Sequence, residues 1–214
     1  MQAEARYREA IKQDARAFAA LKRAYELNRS LTHIALRLAR VLAENGKPDE
    51  AVGVLTDTLS REPSRELRFE LGKILSELPA SQQTEEPTKL FEHSFDPDDR
   101  LLFPRLYLLR EYWRSRQNEK FRQLQKGMRQ MEAPRHLRLQ PNLIIKSDGI
   151  PVLFTGRIRH KEADYCFIAL DGDEPDAFLH RRSAGGLDFD ALVVDAHVSF
   201  SVGFSTNGAT AMVE

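Results

Sequence analysis

Through the first 131 residues apolar side chains recur at intervals of three or four, the period of helices that turn one face to a core. Between Thr32 and Arg65, Ala35, Leu38, Ala39 and Leu42 fall on one helical face, Gly46 sits in the turn ENGKPDE, and Ala51, Leu55 and Thr58 fall on a second helix that stops before Pro63. Leu71, Gly72 and Leu75 open a following unit, and DPDDRLLFPRLYLLREYW with NEKFRQLQKGMRQM makes a further helical pair. Two prolines constrain the boundaries. Pro87 requires a helix that begins near Glu86, so that its ring occupies the first turn, where no backbone N–H is needed. Pro104 is accommodated if its helix begins at Leu102, and otherwise kinks it.

After Pro134 the pattern changes to short runs rich in Val, Ile, Phe and Tyr, separated by Gly, Asp-Gly and Asn-Gly turns, and the period falls to two. Strands are predicted at about 152–160, 164–170, 176–180, 192–203 and 209–213, with DGDEP as a hairpin turn and RRSAGGLDFD as a long connection. Five short strands in so few residues suit a small barrel, because closure removes exposed edges. Alternation places Tyr165 and Phe167 on one face and Phe178 with His180 on one face of the next strand; Ile168, Ala177 and Leu179 point the other way, into the barrel.

Two resemblances sharpen this reading. The offsets of Ala35, Leu38, Gly46, Ala51 and Pro63 resemble the 34-residue tetratricopeptide repeat, in which small residues let two antiparallel helices approach and Pro ends the second. The segment ending ALKRAYELN looks like the close of a repeat whose beginning is cut short, which marks the chain as a piece of, or descended from, a longer array. The run from Gly156 to Val213 resembles a cold-shock domain, the five-stranded oligonucleotide-binding barrel. The first-strand motif appears as Gly156, Arg159 and His160, with His in place of the usual Trp. The first ribonucleoprotein-type motif appears as Ala163, Asp164, Tyr165, Cys166, Phe167 and Ile168, keeping both aromatics and losing the Lys and both glycines. The second appears as Asp176, Ala177, Phe178, Leu179, His180 and Arg181.

The cold-shock resemblance implies a platform on which Tyr165, Phe167, Phe178 and His180 stack unpaired bases, each contributing about 1–3 kcal/mol. Arg159, His160, Lys161, Arg181 and Arg182 border it, to meet phosphates or stack on bases, and Asp176 accepts from a base edge. The expected fold class is therefore α+β in separate domains: a tetratricopeptide-like helical-repeat solenoid over 1–132, a linker over 133–151, and an OB-fold barrel over 152–214.

The chain sums to zero net charge, with 32 basic and 32 acidic side chains, but the sum conceals a polarity. Arg100 to Lys146 carries 12 basic and 3 acidic residues, 12 − 3 = +9, whereas Val152 to Glu214 carries 5 and 10, 5 − 10 = −5. The basic stretch, with Arg105, Arg110, Arg114, Arg116, Lys120, Arg122, Lys126 and Arg129, is open to three readings: a solvated helix face, docking onto the acidic barrel, or phosphate contact.

The single cysteine, Cys166, excludes an internal disulfide and a thiolate-rich zinc cage, and its strand position reads as a core residue rather than a nucleophile. His33, His93, His136, His160, His180 and His197 are too scattered for a metal site, and no phosphate-loop, dinucleotide, zinc-protease or hydrolase motif occurs. No apolar run is long enough for a membrane span and no secretory signal opens the chain. The expectation is a non-catalytic cytoplasmic adaptor without cofactor, which binds single-stranded RNA or DNA through the barrel and a protein partner through the repeats. The alternatives are a protein-interaction scaffold, or the regulatory end of a larger protein whose catalytic domain lies elsewhere.

Overall fold

A computed structural model describes residues 2–134, 142–147, 149–172 and 174–213, with side chains from residue 15 onward. Residues 135–141 of the expected linker, with His136, and Asp173 of the expected DGDEP turn lie outside the described residues. The chain has an N-terminal helical region and a C-terminal closed five-stranded barrel. It divides into two compact units, Met1–Pro97 and Asp98–Glu214.

The first unit consists of α1 (Gln2–Leu27), α2 (Thr32–Glu44), α3 (Pro48–Arg61), α4 (Arg65–Glu77) and α5 (Pro87–Glu92), each packed on the next. Ala35, Ala39 and Ala51 are fully buried, so α2 and α3 approach closely with Leu38 and Leu55 between them. The turn that joins them is a left-handed cap: Gly46 has φ 72°, its N–H donates to Ala43 O at 3.0 Å, and Lys47 N–H donates to Leu42 O at 2.9 Å. Pro87 stands in the first turn of α5, as the sequence predicts, and delivers Phe91 fully buried against Gly72, where an added Cβ would lie 2.8 Å from the ring. The segment before Ser30 is one helix of 26 residues, uninterrupted by Gly or Pro.

The second unit opens with α6 (Leu102–Arg114) and α7 (Asn118–Arg129). α6 starts at Leu102, so Pro104 falls among the first four residues, whose N–H groups have no partner within the helix, and no kink is needed. The barrel is built from β3 (Leu153–Lys161), β4 (Tyr165–Leu170), β5 (Ala177–His180), β6 (His197–Ser205) and β7 (Gly208–Met212), preceded by the short pair β1 (Lys146–Ser147) and β2 (Ile150–Pro151). Its strand order is β3-β4-β5-β7-β6, closing on β3, with every pair antiparallel except β5 with β7. Ile158, Cys166, Ile168, Ala177, Leu179 and Phe200 are buried. Gly156 lets β3 and β4 close together, because a Cβ there would sit 2.5 Å from Ala169 O.

Three features differ from the sequence expectation. The fourth barrel strand begins at His197 rather than 192 and runs to Ser205: Asp195 has φ 66°, which ends any extended run through Val193 and Val194, and both valines are exposed. Part of the expected linker, at Asn142 and Ile145, is pinned to the barrel. β3 begins opposite Ser201, and beyond it Ile145 N–H bonds Val202 O at 2.9 Å while Asn142 exchanges bonds with Phe204, so β6 gains a partner on that side. The compact units part at Pro97, whereas the expected helical domain runs to 132. The physical reason is Trp113 of α6, which is almost fully buried with its ring edge-on to Phe154 at 5.3 Å and Phe204 at 5.9 Å.

Two glycines of the α2–α3 hairpin separate the roles of conformation and space. Gly46→Ala places a Cβ at positive φ and is expected to cost about 1 kcal/mol. Gly53→Ala, in the interior of α3 with nothing within 4 Å of the new Cβ, is expected to add about 0.5–1 kcal/mol. Urea unfolding of both variants checks the opposite signs.

Candidate nucleic-acid interface

The antiparallel register of β4 with β5 sets Tyr165 opposite His180 and Phe167 opposite Phe178. All four side chains lie on the outer side of the barrel and are half-buried, while Cys166, Ile168, Ala177 and Leu179 behind them are completely buried. The rings form one cluster: Tyr165 to Phe178 is 5.6 Å between centroids, Phe167 to Phe178 5.7 Å, Tyr165 to Phe167 5.8 Å and Phe178 to His180 6.4 Å. His180 Nδ1 accepts from Arg182 N–H at 3.1 Å, so in the neutral ring the proton resides on Nε2.

The charged residues around the cluster are differently placed. Arg159 stands at a bulge of β3, well exposed, with Nη1 3.3 Å from Asp176 Oδ2. His160 pairs with Glu162 at 2.9 Å. Arg181 is held by Asp190 through two contacts, 2.6 and 2.8 Å, donates to Ala163 O at 2.7 Å, and stacks over the buried Phe189 ring at 5.1 Å. The hydrogen bond from Arg181 holds the Asp190 carboxyl below its ordinary range. Lys161 reaches the same loop, donating to Asp190 O at 3.1 Å with its ammonium 5.6 Å from Phe189. Arg182 is exposed and, among the described residues, has no ion-pair partner.

The basic stretch does not act as one surface. Arg105 and Arg110 are buried, bonded to Asp99 at 2.9 Å and Glu111 at 2.9 Å. Arg116 reaches the barrel at Glu174, 3.1 Å away. Arg122, Gln125 and Arg129 of α7 line a cleft of about 530 Å³ whose barrel side is formed by Phe167, Arg159 and Asp176. Arg129 donates to Asn207 O at 3.1 Å and Gln125 donates to the same carbonyl. These α7 residues stand outside the sequence-derived site; the +9 charge of their segment is the signal that points to them.

No protein-family model matches this chain. No curated protein matches it. Among solved structures, a crystal structure of MamA is 16% identical with a TM-score of 0.46, over 56% of this chain and 65% of that one. Another MamA crystal structure is 15% identical with a TM-score of 0.42, over 53% and 63%. MamA from residue 41 onward, from Desulfovibrio magneticus RS-1, is 15% identical with a TM-score of 0.45, over 58% and 72%. The chain thus spans less than two thirds of the first two of these proteins, and likeness at this level carries no conclusion about function.

The described residues contain no group of three or more His, Cys, Asp or Glu side chains arranged to hold a metal, and no helix among them is long and apolar enough to cross a membrane. Cys166 is fully buried behind the ring cluster, and burial pushes its thiol up to about 11 against a small opposing effect of Lys161. Because the thiol is both buried and held protonated, the native protein is expected to react with iodoacetamide near pH 8 at least about a hundredfold more slowly than the urea-unfolded chain. Equal rates for the two states would contradict a buried, protonated thiol.

Proposed function

We propose that this protein is a non-catalytic adaptor whose second unit binds single-stranded RNA or DNA on the β4–β5 face. The observation that carries the reading is the ring cluster: four aromatic side chains, on adjacent strands, half-exposed on the outside of a closed five-stranded barrel. Rings in the barrel interior would serve packing alone. Rings left on the outer face place apolar area in water, which is favourable only when another flat surface covers it, and every base has such a surface. In oligonucleotide-binding barrels the nucleic acid lies on the second and third strands, and β4 and β5 occupy those positions in the barrel order. The barrel is read here as an OB-fold of cold-shock type on that ground, together with the motif residues Asp176, Phe178 and His180.

The roles of the border residues follow from their contacts. Arg159 exchanges an exposed, weak pairing with Asp176 for phosphate at little cost. Lys161 and Arg181 brace the loop at Phe189 and Asp190, and so support the edge of the platform. Arg182 and His160 remain at the surface, and Asp176, once released by Arg159, accepts from a base amino group.

The helical unit is assigned the partner-binding role, as a tetratricopeptide-like stack. Phe18, Tyr25, Leu38, Leu42 and Val54 line a largely apolar cleft beside α1, α2 and α3, whose rim carries both signs of charge, Lys22 and Arg29 with Glu26, Glu50 and Asp57; it suits the apolar anchor of a peptide.

Anisotropy titration of labelled oligo(U) and oligo(dT) tests the platform. Tyr165→Ala and Phe178→Ala are each expected to weaken binding about 5- to 150-fold, the equivalent of about 1–3 kcal/mol per stacked base, with the thermal unfolding midpoint little changed. Binding that is indifferent to both substitutions overturns the platform.

A further inference from the structure

We infer that the cleft between α7 and the barrel is the phosphate-binding half of the same site, so that a strand whose bases lie on the β4–β5 rings carries its backbone along Arg122 and Arg129. This rests on the single-strand reading of the ring face. It makes the α6–α7 hairpin part of the nucleic-acid module.

Continuity is the first argument. Phe167 belongs both to the ring cluster and to the wall of the cleft, so a strand that leaves the platform at Phe167 enters the cleft without crossing intervening protein. Charge is the second. Among the described residues two carboxylates line this cleft, Glu174 and Asp176, and each already has an arginine, Arg116 at 3.1 Å and Arg159 at 3.3 Å. Arg122 and Arg129 have no carboxylate partner among the described residues. The described lining carries Arg122, Arg129 and Arg159 against Glu174 and Asp176, 3 − 2 = +1, and Arg116 adds one more cation at Glu174, inside a unit whose barrel is acidic overall.

Spacing is the third. Arg122 and Arg129 are seven residues apart, two helical turns, so they fall on one face about 10.5 Å apart along the axis. That matches the span of about three nucleotides in a stacked strand at 3.4 Å each. Gln125 lies between them on the same wall, and its amide and the Arg129 guanidinium are both tied to Asn207 O, which fixes α7 against the β6–β7 turn. The opposite flank of the platform offers less: Arg181 and Lys161 are engaged with Asp190, which leaves Arg182 there.

The test uses the full chain and fluorescein-labelled oligo(U) and oligo(dT) of about 12 nucleotides, within the range such barrels cover, titrated between about 0.05 and 0.5 M salt. The double variant R122Q/R129Q is expected to flatten the slope of log K against log salt by about 1.4, which is 0.7 for each of two phosphates, and hence to weaken binding roughly 25-fold at 0.1 M with the gap closing toward 1 M. K126Q removes a charge from the same helix outside the cleft wall, and a change below about twofold is expected, since a single exposed charge at this range is largely screened. Phe178→Ala is expected to lower affinity at every salt concentration with the slope unchanged. If Phe178→Ala weakens binding while R122Q/R129Q leaves affinity and slope as in the unaltered protein, the cleft assignment is overturned and the platform stands. If K126Q flattens the slope by half as much as R122Q/R129Q or more, general charge and not the cleft accounts for the effect, and the assignment is again overturned. Absence of binding by the unaltered protein overturns the platform and the cleft together.

Discussion

The pairing of β4 with β5 decides which side chains this protein shows to solvent. With Tyr165 opposite His180 and Phe167 opposite Phe178, four rings meet outside and four smaller apolar residues fill the barrel behind them. A slip of one residue would exchange the two sets, driving Tyr165 and Phe167 into a space now occupied by Cys166 and Ile168. The filled interior therefore protects the register, and the register protects the platform. Gly156 contributes at the neighbouring seam, since any larger residue would collide with Ala169 O and push β3 away from β4.

The same unit reconciles opposite charges. A barrel with ten acidic and five basic residues is an unfavourable surface for a polyanion, yet its ring face is flanked by cations supplied from α7. Trp113 makes this possible by packing α6 on Phe154 and Phe204, with α7 following through a tight turn in which Arg116 takes φ 56° and reaches Glu174. The helical hairpin thus supplies the barrel with a second wall as well as a cover for the far side of β6.

What the sequence reveals and what it hides divide along physical lines. Local periodicity identifies the helical hairpins, the start of α5 at Pro87, and the inward set Ile168, Ala177 and Leu179, because each depends only on neighbours in the chain; at Pro104 it leaves a start at Leu102 and a kink both open. Trp113 reads as one more residue of an apolar helical stripe; its partners lie 41 and 91 residues further on. A charge count treats Arg105 and Arg110 like Arg122, though the first two are buried on Asp99 and Glu111. The engagement of Arg181 by Asp190 depends on how the 181–190 connection folds back, and Val193-Val194 looks like a strand because β-branched runs usually are strands, whereas the positive φ of Asp195 is invisible in composition.

The central claim is that bases stack directly on the outer rings of β4 and β5. Nuclear Overhauser contacts between base protons of a bound single strand and the ring protons of Tyr165, Phe167 and Phe178 test it most directly. The account requires such contacts, with upfield shifts of the base protons from ring currents. A bound strand whose contacts all fall elsewhere, with these ring signals unmoved at saturation, would contradict it.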